Sequence, residues 1–169
     1  MRNWIFLTVL AVVVLFMLSF LGRDSRLLAS YDPTNHPDVI KVEQMIENTG
    51  ASVPDGTKKK VAMAIAENAR YYNIKPKHLV AIAFVESSFR PNLINETDDY
   101  GVMQINWHHW GKRLTKNPND LLNVYKNVEF ACKIINFNKS MGFTKLSAYH
   151  SLTNGADYEA KLASVLRRI

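Results

Sequence analysis

The 169-residue sequence predicts an all-α domain carried behind an N-terminal membrane-spanning helix. Three observations lead there. Apolar residues recur at the i, i+3, i+4 spacing of a helix in one segment after another from Val39 onward. Gly, Pro and Asn punctuate those segments, and no two alternating runs read as a pair of strands. The eighteen residues Trp4–Leu21 are uncharged and almost entirely apolar.

The elements follow in chain order. As a helix, Trp4–Leu21 would extend about 27 Å, close to the hydrocarbon thickness of a bilayer. Arg2 precedes it, and Arg23, Asp24 and Arg26 follow. A cleaved signal peptide competes for the same residues. The run is long for one, however, and neither Ser19-Phe20-Leu21-Gly22 nor Leu28-Ala29-Ser30 makes a good small-x-small cleavage site. Residues 1–22 therefore read as a retained signal anchor, 23–37 as a polar linker and 38–169 as the folded domain.

A first helix is expected from Asp38 to Asn48, with Val39, Val42 and Ile46 on one face and Gly50 past its end. Pro54-Asp55-Gly56 is a turn, and Thr57 is placed to cap a second helix running through Tyr72. Pro76 suits the first turn of a third helix, which holds the seven apolar residues Leu79–Val85 and ends near Glu86. The polar stretch Arg90–Tyr100 has no helical period and reads as a cleft-lining loop, and Val102–Asn106 as a short helix or irregular segment. A small β element near that cleft is compatible with the pattern. Leu121–Met141 holds one or two helices, Thr144 is placed to cap a helix through Leu152, and Asp157 to cap a last helix, Tyr158–Arg168.

Composition excludes several functions. The net charge of +6 would suit an anionic partner, but no nucleic-acid motif or phosphate-binding glycine loop accompanies it. Lys58-Lys59-Lys60 reads as a solvated helix face. Cys132 has no second cysteine to pair with, and within Phe130–Ile135 it reads as a small buried hydrophobe. The adjacent His108 and His109 lack the i, i+4 spacing of a zinc pair, so no metal is expected.

The chemistry points to Glu86. It shares a helix face with Leu79, Ile82 and Ala83. A carboxyl at the edge of a core is costly to ionise, so burial raises its pKa. A carboxylic acid still protonated near neutral pH is what general-acid catalysis needs. On the apolar run alone, a capped or solvated helix-terminal Glu fits better. The residues downstream change that balance.

Glu86-Ser87, an aromatic and a Pro at short distance, and then Gly101-Val102-Met103-Gln104-Ile105 with Gln104 eighteen positions after Glu86, together resemble the lytic transglycosylases. The run Asp99–Asn106 is most similar to the small specialised transglycosylases of secretion and conjugation systems and of phages. The resemblance spans about residues 60–165. It implies a lysozyme-like α domain that cleaves the β-1,4 bond between N-acetylmuramic acid and N-acetylglucosamine in peptidoglycan, without a cofactor. It implies that Glu86 is the single catalytic acid, and that the muramic acid 6-hydroxyl closes a 1,6-anhydro ring.

Other roles carry over position by position. Ser87 matches the Ser that follows the catalytic Glu, where its hydroxyl orients the carboxyl or caps local backbone. Gly101, Met103 and Gln104 match the element whose Gln and backbone contact sugar acetamides. Ala148-Tyr149 is similar to an Ala-Tyr-Asn-x-Gly motif whose Tyr hydroxyl points at the catalytic carboxyl. In this sequence His150 stands where that motif has Asn, and the Gly comes only at Gly155. Asn95 stands where some members place a Ser supporting the oxocarbenium-like state, and Trp107 is a candidate for stacking on a sugar ring.

The same residues leave two alternatives. Asp98 or Asp99 is a candidate second carboxylate that would position a water in a goose-type-like muramidase or a phage endolysin. An inactive wall-binding scaffold would keep the fold alone. Because peptidoglycan lies outside the inner membrane, the resemblance implies a single-pass protein with its N-terminus inside and its domain outside, or a secreted one if residues 1–22 are cleaved. Its implied partners are glycan strands, the inner membrane and a secretion, conjugation or phage entry or lysis complex.

Overall fold

The computed structural model describes residues 35–150 and 155–169. The anchor expected at 1–22, nearly all of the linker and the stretch from Ser151 to Asn154 lie outside the described residues. Among the described residues, no helix is long and apolar enough to cross a membrane.

The domain is mostly helical, as its apolar periods require. Helices α1 (Pro37–Asn48), α2 (Asp55–Tyr71) and α3 (Pro76–Ser87) precede a small two-stranded ribbon. The ribbon pairs β1 (Asp99–Tyr100) antiparallel with β2 (Ile105–Asn106), with Asp99 opposite Asn106 and Tyr100 opposite Ile105. A π-helical turn, Trp107–Gly111, runs into one α turn, Lys112–Leu114, and a 3-10 turn follows at Pro118–Leu122. Helix α4 (Val124–Ser140), a 3-10 turn at Leu146–Tyr149 and helix α5 (Ala156–Leu166) complete the order. This arrangement fits a lysozyme-like α domain.

Helix α3 is the centre of the core. Leu79, Val80, Ala81, Ile82 and Ala83 are all fully buried, which takes a covering element on every side. Helices α1, α2 and α5 pack around it, and α4 packs on α2. The end of α3 is an unusual turn. Ser88 and Phe89 both adopt left-handed backbone, at φ 51° and 62°, a costly conformation for residues with a β-carbon. The Phe89 N–H reaches back to the Ala83 carbonyl at 3.3 Å, and its ring is buried beside Phe84. That closure satisfies the end of the helix and fixes where Glu86 leaves the core.

Several helix starts differ from expectation. Helix α2 begins at Asp55 behind Pro54, so Thr57 lies inside it and is not its cap. Helix α5 begins at Ala156, and Asp157 sits in its first turn, where a carboxylate still faces the positive end of the helix. Of the segment expected to form a helix from Thr144 through Leu152, the described part forms only a 3-10 turn at Leu146–Tyr149 with no side-chain cap, and Ser151 and Leu152 lie outside the described residues. Asn123 was not foreseen as a cap, yet its side chain accepts from the Lys126 N–H at 3.1 Å and separates α4 from the preceding 3-10 turn.

Candidate active site

A cleft of about 650 Å³ opens between the end of α3, the β ribbon, the π turn, α4 and the Leu146–Tyr149 turn. Its walls carry Glu86, Asn95, Asp99, Gln104, Trp110, Tyr149 and His150. Two other depressions, of about 520 and 680 Å³, lie on the α2–α4 surface around Glu67 and Tyr125. It is the cleft, and neither depression, that holds Glu86 at the end of the buried helix, so chemistry and not size singles it out.

Glu86 is the unusual group in it. Burial against the core pushes its carboxyl up to about 7. The phenol of Tyr158 opposes this by donating to Glu86 Oε1 at 2.6 Å. The charge of Asp99 pushes the value up further and that of Lys161 pulls it down. Tyr158 is itself buried, and desolvation with the neighbouring carboxyl keeps its hydroxyl protonated far above neutral pH. Near neutrality Glu86 therefore exchanges its proton readily, while the phenol keeps its O–H to donate.

The tyrosine on the carboxyl is Tyr158 of α5 and not Tyr149. Tyr149 lines the cleft, but its hydroxyl donates to the Met103 carbonyl at 2.8 Å, pinning the loop that precedes β2. No spacing rule identified Tyr158, which lies 72 positions from Glu86 and reaches it only when α5 docks on α3.

The Gly101–Gln104 turn is held from beneath. Gly101 has φ +76°, and a β-carbon there would meet the Leu121 carbonyl and the Asn127 side chain, so what approaches Gly101 closely is protein, not sugar. Asn127, fully buried in α4, accepts from the Met103 N–H at 2.7 Å and donates to the carbonyls of Leu121 and Tyr100 at 2.8 and 3.0 Å. Met103 is fully buried core and does not touch the cleft. Ser87 is also buried, and its hydroxyl lies 2.6 Å from the Val102 carbonyl and 3.1 Å from that of Ala83. It fastens α3 to the loop instead of orienting the carboxyl. Gln104 does reach the cleft. Left-handed backbone (φ 46°) turns it there, and its amide nitrogen donates to the Gly101 and Leu93 carbonyls at 2.9 and 3.2 Å. Asn127 was missed because a lone Asn inside an apolar helical period gives no signal of its own.

The loop aspartates separate. Asp98 turns away to pair with His108 at 2.8 Å and does not line the cleft. Asp99 lines it, but Asn95 Nδ2, Thr97 Oγ1 and Asn106 Nδ2 lie at 2.6, 2.7 and 2.8 Å from its carboxylate oxygens. Asn95 also accepts from the backbone N–H of Thr97 and Asp99 at 3.0 and 2.8 Å, so both residues brace one loop at the rim.

Trp107 does not line the cleft. It packs on the core, with Gly111 folded against its ring. The π turn instead carries Trp110 and His109 to the wall, with Trp110 edge-on to His109 and to Phe137 at ring distances of 5.2 and 5.5 Å. The wide turn was the unforeseen feature, because the sequence read Trp107 onward without it. Cys132 is buried, and desolvation raises its thiol to about 12, which makes it inert at neutral pH. Among the described residues, no three or more His, Cys, Asp or Glu side chains are grouped to hold a metal ion.

Residues 63–160 match the family model described as the Transglycosylase SLT domain, which covers α2 from its middle, all of α3 and α4, the cleft loops and the start of α5. No curated protein matches the chain. More than half of the chain lies within the family model, and the match includes both ends of the Glu86–Tyr158 contact. The chain belongs to the transglycosylase SLT domain family, whose members are lytic transglycosylases acting on peptidoglycan.

Proposed function

We propose that this protein cleaves the β-1,4 bond between N-acetylmuramic acid and N-acetylglucosamine by intramolecular transglycosylation, with Glu86 as the single acid and base. The supporting observation is a carboxyl whose pKa, near 7, lets it both give and take a proton at working pH. Glu86 protonates the glycosidic oxygen as the bond to C1 breaks. The resulting carboxylate takes the proton of the muramic acid 6-hydroxyl, whose oxygen closes on C1. The product is a 1,6-anhydro end, the carboxyl regains its proton, and no water is consumed. Tyr158 steadies the charged form through its hydrogen bond. Gln104 and Trp110, which line the same cleft, would contact an acetamide and a ring face.

The hydrolytic alternative draws on Asp99, which faces the same cleft and raises the Glu86 pKa. Three donors already occupy most of the acceptor sites of that carboxylate, which favours a bracing role over activating a water. The setting proposed for the activity is local opening of the wall. Residues 1–22 would hold the protein in the inner membrane with its domain on the outer side, serving a secretion, conjugation or phage complex.

Product analysis on purified peptidoglycan tests the reaction. Anhydro-muramic ends are expected, and reducing muramic ends would establish hydrolysis instead. Glu86→Gln is expected to lower the rate about a thousandfold, the scale of a lost general acid. A wild type that clears peptidoglycan no better than Glu86→Gln would leave only a binding scaffold.

A further inference from the structure

His150 lines the same cleft as Glu86. Its imidazole stacks on the Tyr158 ring, with centroids 4.7 Å apart and planes within 13°. Tyr158 in turn donates to Glu86. His150 also lines the cleft, so it covers the phenol on the substrate side. The ring is exposed, and the backbone that carries it is fixed. The His150 N–H bonds the Ser147 carbonyl at 3.1 Å, Tyr149 is pinned to Met103, and Asn138 Nδ2 donates to the Ala148 carbonyl at 2.9 Å.

We propose that His150 is a positioning residue that acts through Tyr158, its flat ring holding the phenol in the orientation that keeps the hydroxyl on Glu86. This rests on Glu86 being the acid of the reaction proposed above. A tyrosine side chain can rotate about two bonds, and a hydrogen bond weakens steeply when its donor swings off line. A parallel ring on the open face removes that freedom without touching the carboxyl. The contact needs a flat ring and not a charge, so Phe can serve where Ala cannot. The groups facing Glu86 are Tyr158 and Lys161 from α5, Asp99 from β1 and Tyr149 from the 3-10 turn. Of these, the His150 ring stacks on Tyr158.

The test is a double-mutant cycle read on the Glu86 carboxyl itself. The full chain, labelled with carbon-13 at glutamate side-chain carboxyls, is titrated by NMR as wild type, His150→Ala, His150→Phe, Tyr158→Phe and the double variant His150→Ala/Tyr158→Phe. The signal is assigned by its loss in Glu86→Gln. Losing the Tyr158 bond removes an influence that lowers the Glu86 pKa. His150→Ala should therefore raise it by about half a unit, as expected for partial loss of a hydrogen bond of ordinary strength. His150→Phe should restore the wild-type value, and His150→Ala should add nothing once Tyr158 is Phe. In turnover, kcat should fall several-fold with KM within about twofold of wild type. An unmoved or lowered pKa, a shift that persists in the Tyr158→Phe background, or no rescue by Phe would overturn the proposal. The titration does not depend on which product forms, so failure of the proposed reaction and failure of this role are read separately.

Discussion

Glu86 keeps its proton to about pH 7 because burial against the core denies its charge the water it would need. The same burial links the residue to stability. A group whose folded pKa is raised favours the folded state below its unfolded value, near 4.5, and loses that contribution as pH rises through about 7. The wild type should therefore lose about 3 kcal/mol relative to Glu86→Gln between pH 4 and pH 8, from a shift of this size. Denaturant unfolding of both proteins at the two pH values measures it, and a pH-independent difference would remove the case for a buried, neutral carboxyl. This residue was legible in the sequence because burial is a local property of an apolar run. Tyr158 was not, since its meaning depends on how two helices dock. Tyr149, a tyrosine in the matching motif, was assigned the contact that Tyr158 makes.

At the scale of elements, the cleft depends on how the Gly101–Gln104 turn is seated on α4. Asn127 satisfies three backbone groups from three segments, so the turn is a fixed wall. Gly101 is the point of closest approach. Gly101→Ala would place a β-carbon on left-handed backbone and into the Leu121 carbonyl, and should cost about 2–4 kcal/mol. Gly142, at φ +88° with open space around it, provides the control. Gly142→Ala should cost only the conformational part, about 1–2 kcal/mol. Equal losses in thermal or denaturant unfolding would mean that the contact at Gly101 is unimportant. The helices themselves were readable, because their periods record one buried face each. The ribbon, the π turn and the 3-10 turns were not, because segments of two to five residues carry no period. Their shapes come from tertiary hydrogen bonds such as those of Asn127. This is why Trp110, and not Trp107, reaches the cleft.

At the scale of the molecule, the fold class and family were legible because a buried central helix and a few spaced loop residues suffice to mark them. What could not be read is how distant parts meet. The candidate site draws on α3, the ribbon, α4, the 3-10 turn and α5, and the hydrogen bond on its carboxyl joins residues 72 positions apart. That separation has a consequence in time. Contacts between distant residues form late, because a long chain segment must first be closed. Until α5 docks, Glu86 lacks both the Tyr158 hydrogen bond and the cover that α5 gives α3. During refolding from denaturant, the far-UV helical signal should recover ahead of peptidoglycan cleavage, and coincident recoveries would argue against this order. A half-folded molecule would then already be helical yet harmless to the wall, with its capacity to cut arriving as the last event of its maturation.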